Sequence, residues 1–518
     1  GRLDAGVRAA SCAASVFGGV FWQAGVVAML RPMDDATVAD LLTRLVDLEI
    51  AGRHNDTRLS GQVEYGFRHD LMRQAAYGLL SDDGRRLAHR LAADYLAGAG
   101  ESDALVLAEH YRLGQVAERA VHWYRRAAEQ ALDTNDLDGA RARAQRGLDL
   151  QPGADERSRL YTIQATAANW ARDDGETLRC ATAAIADLPP GGASWYENIA
   201  HLLVVSGRRG DRDAMACYMR LVQDAPTVEA AQGARVSCLA RAGFAFLVAG
   251  HSTEMGQIAG QLRDVDVSQL AADPLARAQL FQFRSGCAYS NGDLVSGVRN
   301  MAAAVDAFDA AGDRRSALQE RATLASNLLE MGDHVAAERL ARISLHDAQQ
   351  ARVLSAFSLA RIILAHALSF RPDGLGEAEG LLTAAVAAGD SPHARRHHGW
   401  AEAAMARLRY LQGRYAECES MARAALGHMG TGTTMRVWPL GWLARALIQQ
   451  GQAAAGLAIA DEALALLKTQ GRFTVGASLP PLARIEALRA LRRVEEYGKA
   501  VVAAQRGVGR FVERIADP

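Results

Sequence analysis

The sequence predicts an all-α protein built from about ten stacked helical hairpins. Two observations predict this fold class: small residues recur at a regular interval along most of the chain, and the composition favours packed helices. Of the 518 residues, 49% are hydrophobic but only 6% are aromatic, and alanine is abundant. Alanine is the best helix former, and small side chains let helices approach closely.

The interval between the small residues is about 40 positions. Within a predicted helix, small residues occur at positions i, i+4 and i+7, as at Ala140, Ala144 and Gly147. The first position of this pattern occurs ten times from Ala140 to Ala500, and these 360 residues contain nine intervals with a mean of 40. The ten positions are Ala140, Thr177, Ala214, Met255, Gly297, Ala337, Ala378, Cys418, Gly456 and Ala500. A fixed period of this length is typical of helical repeat proteins, in which each unit packs only on its neighbours.

Each unit also contains a preceding helix with apolar residues at helical spacing, such as Leu440, Leu443 and Leu447. A turn glycine, for example Gly332 or Gly413, joins the two helices because glycine accepts the positive φ at which a helix ends. These features resemble tetratricopeptide repeats (TPR), although the units exceed the usual 34 residues. The resemblance implies a right-handed superhelix over residues 134–518.

The first 80 residues follow a different pattern. Helices are predicted at Leu3–Ala14, Gln23–Leu30 and Ala36–Leu48, and strands at Glu49–Arg53 and Val63–Phe67. Three helices followed by a hairpin predict a winged-helix-like domain over residues 1–80. Residues 81–133 are then interpreted as a helical connector to the repeats.

The stretch from Val63 to Leu71 reads Val-Glu-Tyr-Gly-Phe-Arg-His-Asp-Leu, and Arg8-Ala9-Ala10 opens an earlier segment that continues to Phe21-Trp22. These segments resemble the region that follows the nucleotide-binding module in STAND-type signalling ATPases, most closely the Ser/Thr protein kinase-linked branch. The resemblance implies a non-catalytic, C-terminal regulatory part of a multidomain protein.

Several functional expectations follow from this resemblance. An upstream ATPase domain would be a partner in cis, and ATP–Mg would bind only there, since this chain has no GxxxxGK[ST] motif and no kinase HRD or DFG. Arg68 and His69 are candidates for contact with that domain, and the alternative for His69 is a structural role at a helix start. A LuxR-type transcriptional regulator and a free-standing TPR adaptor are the other two interpretations.

Six aromatic residues are candidates for contact with a protein segment, a peptide or a small effector in the concave groove. They lie in or next to first helices, which line the concave surface of stacked hairpins, and the alternative for each is inter-repeat core. The six are Trp170, Trp195, Tyr196, Trp400, Trp438 and Trp442. The Lys/Asn set that TPR clamps use for terminal carboxylates is not seen.

No catalytic or metal site is predicted. His393 and His397 could share one helical face, but zinc normally takes three or four protein ligands, so a solvated basic helix start is the favoured interpretation. Gly430 to Thr434 is interpreted as an inter-repeat linker, because it lacks the preceding strand and following lysine of a phosphate-binding loop.

The net charge and the cysteines indicate which classes of partner and which cellular compartment to expect. The net charge is −1 and the pI near 7.0, and the helix Val38–Ile50 is net negative, so binding to nucleic acid is not expected. No apolar run is long enough to span a membrane. The six cysteines form no CxxC pair, which favours a reducing, cytoplasmic location.

Overall fold

The structure is a computed structural model, and it describes residues 3–226, 228–388, 397–429, 434–470 and 475–516. The chain divides into two compact units. The amino-terminal unit comprises Gly1–Ala167 and Ala186–Leu188, and the carboxy-terminal unit comprises Ala168–Ile185 and Pro189–Pro518.

The amino-terminal unit begins with three helices and a small sheet. Helices α1 (Ala5–Ser15), α2 (Gln23–Met29) and α3 (Asp35–Asp47) alternate with strands β1 (Val20–Trp22), β2 (Ala51–Arg53) and β3 (Glu64–Phe67). The strands pair antiparallel in the order β1-β3-β2. Side chains of the helices and the sheet enclose a core that includes Phe21, Leu42 and Leu45.

The predicted three helices and hairpin are confirmed, but the sequence did not indicate β1. This strand has only three residues, and α2 follows it without a turn, so it is too short for an alternating apolar pattern to be recognised. It lies at one edge of the sheet, where Phe21 opposes Tyr65 with stacked rings 5.6 Å apart.

Helices continue from the sheet into the repeats. They are α4 (Asp70–Gly78), α5 (Asp82–Gly98), α6 (Ala104–Leu113), α7 (Ala117–Asp133) and α8 (Leu137–Leu148). Helix α7 packs against α8 and against α6, and α6 packs against α5. The proposed boundaries at residues 80 and 133 remain predictions.

From α7 onward the described helices alternate along the chain between ten first helices and ten second helices. The first helices are α7, α9 (Ala154–Ala171), α11 (Ala193–Arg209), α13 (Gln232–Ala249), α15 (Pro274–Ser290), α17 (Arg314–Met331), α19 (Leu354–Leu368), α21 (His398–Leu411), α23 (Val437–Gln449) and α25 (Leu479–Ala490). The second helices are α8, α10 (Asp174–Asp187), α12 (Arg212–Asp224), α14 (Ser252–Leu262), α16 (Leu294–Ala310), α18 (His334–Gln350), α20 (Leu375–Ala387), α22 (Tyr415–His428), α24 (Ala453–Gln470) and α26 (Val494–Ala516). All ten predicted positions lie on second helices, so the predicted repeat is confirmed.

Turn chemistry explains where the second helices begin. Gly332 ends α17 at a φ of 93°, and Asp333 then caps α18 by accepting a hydrogen bond from the Ala336 N–H. Asp211 and Asp293 cap α12 and α16 in the same way. Such caps satisfy backbone donors that no helical carbonyl can reach.

The helices of a hairpin approach closely where small residues cross. At Gly456 on α24, an added Cβ would lie 2.6 Å from the Ile448 side chain and 2.8 Å from the Ala444 carbonyl oxygen on α23. Only glycine fits at that separation, so the small-residue period marks the helix crossings.

In the carboxy-terminal unit, first helices form the inner layer. Successive first helices pack against one another, as α17 does on α19 and α21 on α23, whereas successive second helices lie farther apart in the described structure. That the first helices line a concave surface remains a prediction. None of the described helices has an apolar stretch long enough to cross a membrane.

Candidate ligand-binding site on the first helices

The six predicted aromatic residues all lie on first helices. Trp195, Tyr196, Trp438 and Trp442 are buried, and Trp170 and Trp400 are partly exposed. For the four buried residues, this burial agrees with the alternative interpretation that they belong to the core between repeats. Contact with a ligand remains a prediction for all six.

The three amino-terminal residues of this set contact other side chains than the three carboxy-terminal ones do. Trp195 and Tyr196 on α11 pack edge to face with ring centroids 5.2 Å apart. Trp170 lies beneath the guanidinium of Arg315 on α17, at 4.7 Å from the ring centroid. No ring contact connects these three residues with Trp400, Trp438 or Trp442 in the described parts of the chain.

The other three tryptophans are brought together by α21 and α23. Trp400 and Trp438 form an edge-to-face pair with centroids 6.1 Å apart. Trp438 also contacts His366 on α19 at 5.0 Å, and Trp442 contacts Tyr410 at 5.2 Å. We call the surroundings of these rings the aromatic slot, defined by Phe370, Trp400, Trp438 and Trp442.

A guanidinium lies within the aromatic slot. Arg407 is seven residues after Trp400 and therefore on the same face of α21. Its guanidinium carbon is 4.2 Å from the centroid of Phe370 and 5.5 Å from that of Trp442. Stacking on aromatic faces is a geometry that the planar arginine head group favours.

The charge of Arg407 is only partly compensated. Its Nε donates a hydrogen bond to the Ser369 hydroxyl over 2.9 Å, and its two terminal nitrogens have no partner among the described residues. Burial lowers the pKa of Arg407 to about 10, and the nearby Glu330 carboxylate acts in the opposite direction without forming an ion pair. A half-buried cation of this kind favours an anionic partner.

The neighbouring Arg445 provides a contrast. It also stacks on aromatic rings, 4.5 Å from Tyr410 and 5.4 Å from Trp442. Its guanidinium is held by two hydrogen bonds to the carboxylate of Glu486, at 3.0 and 2.9 Å. Of these two arginines, Arg407 is the one with donors available to a ligand.

Glu330 introduces a titratable carboxyl at the end of α17. It is partly exposed, yet desolvation by the surrounding helices raises its pKa to about 7, while the Gly476 N–H and the Arg407 charge oppose that rise. Gly476 itself packs against Trp438, because an added Cβ there would lie 2.6 Å from the indole ring. The charge next to the slot therefore changes near neutral pH.

Two buried polar atoms beside the slot lack hydrogen-bond partners in the described structure. They are Nε1 of Trp442 and Nδ1 of His334, whose ring stacks on Phe370 at 3.7 Å. Burial lowers the pKa of His334 and lowers that of His366 well below its usual value, so both rings are neutral near pH 7. Buried polar groups normally find partners, and a bound molecule can supply them.

Sequence reasoning missed Arg407, Glu330 and Phe370. The sequence could have indicated Arg407, because it lies seven positions after Trp400 and this spacing puts both residues on one side of a helix. Glu330 had no local signal, because it reaches the slot from α17, two hairpins earlier in the chain.

Arg68 and His69 lie in the amino-terminal unit, and both are exposed. The Arg68 N–H donates to the Ile50 carbonyl at the edge of the sheet, and His69 is the residue before α4, without a side-chain cap. His393 and residues 430–433 lie outside the described residues.

Comparison with known proteins identifies the fold. No family model matches the chain, and no curated protein is significantly similar to it. Among solved structures, a STAND protein with a tetratricopeptide repeat sensor from Pyrococcus horikoshii is 11% identical, with a TM-score of 0.51 over 82% of this chain. The match covers 63% of that protein, so the chain spans less than two thirds of its length.

Two further solved structures are similar at lower scores. A Rap protein complexed with competence and sporulation factor has 12% identity and a TM-score of 0.44, over 62% of this chain and 92% of that one. The Cut9–Hcn1 hetero-tetramer of the APC/C has 13% identity and a TM-score of 0.38, over 84% of each chain. The chain is an all-α, TPR-like helical repeat protein.

Proposed function

We propose that the chain is a non-catalytic interaction and sensor scaffold that binds a protein or peptide segment on its first helices. The observation that carries this proposal is Arg407, a guanidinium enclosed by Phe370 and Trp442 whose terminal donors have no partner in the described structure. A carboxylate side chain of the bound segment would accept from these donors, and an apolar side chain would pack on the partly exposed Trp400.

Enclosure makes this interaction selective. Charge-assisted hydrogen bonds to a guanidinium are stronger than neutral ones, and their strength increases where water is excluded. Aromatic and arginine side chains also dominate the binding energy of most interfaces. An acidic residue next to an apolar one is therefore the sequence feature that we expect in the bound segment.

We place this scaffold in the C-terminal regulatory part of a cytoplasmic, STAND-type signalling protein linked to a Ser/Thr kinase. The likeness to the STAND protein and the resemblance of Val63–Leu71 support this context. The order of three helices and three strands before the repeats supports a winged-helix assignment. Exposed Arg68 and His69 would contact an upstream ATPase domain in cis, where ATP–Mg would bind.

Peptide selection tests the binding proposal. A random dodecapeptide library would be panned on the purified chain, and the affinities of fluorescein-labelled hits measured by anisotropy. We expect hits enriched in Asp or Glu, and at least about tenfold weaker binding to the variant Arg407→Gln, the size expected for one lost charged hydrogen bond.

The matched control is Arg423→Gln. Arg423 lies exposed on α22 and pairs with Glu419, so it carries the same charge outside the slot. Selected peptides that bind Arg407→Gln and Arg423→Gln equally well would exclude the slot as the binding site.

A further inference from the structure

Three potential metal ligands meet where α21 begins and α22 ends. His398 and Glu402 are one helical turn apart on α21, and His428 is the last residue of α22. One nitrogen of each imidazole and a carboxylate oxygen lie within 4.8 Å of one another. We call His398, Glu402 and His428 the triad.

The triad has a defined geometry. Glu402 contacts Nδ1 of His428 over 2.7 Å through one oxygen and Nε2 of His398 over 3.5 Å through the other. The two imidazole rings stack with centroids 4.4 Å apart and planes inclined by 18°. Both histidines therefore present a nitrogen to the same carboxylate.

Burial of Glu402 calls for a positive charge. Its side chain is only 6% exposed, and its ion-pair partners in the described structure are the two triad histidines, with no arginine or lysine among them. A buried carboxylate is strongly unfavourable unless a positive charge compensates it. A cation held between the three side chains would do so.

The backbone holds the triad in place. Gly399 lies so close to α22 that an added Cβ would be 3.2 Å from the Ala425 carbonyl oxygen and 3.2 Å from the Met429 side chain. This close approach fixes the start of α21 against the end of α22. Packing between the two helices thus keeps the three side chains close together.

We propose that the triad is a binding site for a divalent transition-metal ion of the Zn²⁺ type. Nε2 of His398, Nδ1 of His428 and one oxygen of Glu402 would be the protein ligands. His428 is 49% exposed, so water can occupy the remaining coordination position. Two imidazoles and one carboxylate form a familiar Zn²⁺ ligand set, whereas Ca²⁺ and Mg²⁺ favour oxygen ligands.

Ion binding requires side-chain rearrangement. Zinc–nitrogen bonds of about 2.0–2.1 Å place tetrahedral ligand atoms about 3.3 Å apart. The contacts of 2.7 and 3.5 Å around Glu402 lie on either side of that value, and the half-exposed His428 ring would rotate out of its stack on His398 so that both nitrogen lone pairs point at the ion. A bound ion would join α21 to α22 within one hairpin and stabilise that hairpin.

Calorimetry tests the metal site. The chain, stripped with EDTA and dialysed, would be titrated with ZnSO₄, and we expect a binding event of one ion per chain. His428→Ala and Glu402→Gln should each weaken that event at least tenfold. The control His346→Ala removes an exposed histidine from α18 and should leave it unchanged.

Two further measurements complete the test. Thermal unfolding should shift upward with Zn²⁺ in the wild type and in His346→Ala but not in His428→Ala. MgCl₂ should give no such shift. No stoichiometric Zn²⁺ binding, or equal binding by all three variants, would overturn the assignment, the latter by showing that zinc is held elsewhere.

Discussion

Nδ1 of His89 lies 3.0 Å from Nδ1 of His110, between α5 and α6, and both imidazoles are buried. The Tyr77 hydroxyl is 2.9 Å from Nε2 of His89, so His89 has a polar neighbour at each nitrogen. Burial is the main cause that lowers the pKa of each histidine to about 4; the Arg112 charge adds to it for His89, and for His110 the effect of His89 is opposed by Glu109. The pair is therefore neutral at pH 7.

This pair should make the amino-terminal unit sensitive to acid. The unfolded chain takes up protons near pH 6.5, whereas the folded histidines resist protonation until about pH 4. Their contribution to stability is complete above pH 6.5 and is lost as the pH falls towards 4. At pH 5 the loss is about 2 kcal/mol for each histidine.

The variant His110→Phe removes one of the two groups and measures its contribution. The difference in unfolding free energy between pH 7 and pH 5, from urea unfolding followed by circular dichroism, should be about 2 kcal/mol smaller than in the wild type. His122→Ala, at an exposed position on α7, should leave that difference unchanged. Equal pH dependence in the wild type and His110→Phe would contradict the expectation.

Buried and exposed ion pairs of the amino-terminal unit should differ in their contribution to stability. Arg58 pairs with Glu101, whose side chain is only 2% exposed, and also lies over the ring of Trp22 at 5.3 Å. Arg58 itself is 54% exposed, so solvent screens its charge, but Arg58→Ala still leaves that carboxylate buried without its cation, and we expect a loss of about 1–2 kcal/mol. Arg86→Ala breaks an exposed pair with Asp83 and should cost less than about 1 kcal/mol, measured by urea unfolding. Similar losses in the two variants would show that Glu101 finds another partner.

Substitution by alanine should lower the free energy of unfolding at one glycine of the second helices and raise it at another. Gly456→Ala forces a methyl group against the Ala444 carbonyl and Ile448, and overpacking of this kind costs about 1–3 kcal/mol. Gly427 on α22 is exposed and has no atom within 4 Å of an added Cβ, so Gly427→Ala should stabilise by about 0.5–1 kcal/mol. Thermal and urea unfolding measure both, and destabilisation by Gly427→Ala would contradict the helix-propensity argument.

The repeat fold could be predicted because its signals are local and recur. Small residues such as Ala337 and Gly456 lie at helix crossings in unit after unit, and the glycine and aspartate of each turn fix where the next helix begins. A single three-residue strand such as β1 offers no repetition, and it was missed.

The candidate sites depend on contacts that the sequence does not encode locally. Glu330 and Arg407 lie 77 positions apart and become neighbours only because the inner helices stack side by side. His428 joins His398 and Glu402 from the far end of the next helix. The sequence showed that Trp400, Trp438 and Trp442 belong to inner helices, but it could not show that they surround a guanidinium.

Glu330 should make ligand binding depend on pH. Above pH 7 its negative charge repels an acidic ligand group at Arg407, and below pH 7 protonation removes that charge, since its pKa is about 7. Burial lowers the pKa of His334 and lowers that of His366 well below its usual value, so neither ring is expected to gain a proton above pH 7. The Arg407 site should therefore bind an acidic peptide from the library selection about threefold to tenfold more tightly at pH 6 than at pH 8, a difference of roughly 0.6–1.4 kcal/mol. Fluorescence anisotropy at both pH values measures the effect, and the neutral variant Glu330→Gln should bind equally well at both. A pH dependence that persists in Glu330→Gln would assign the titration to the peptide or to another residue.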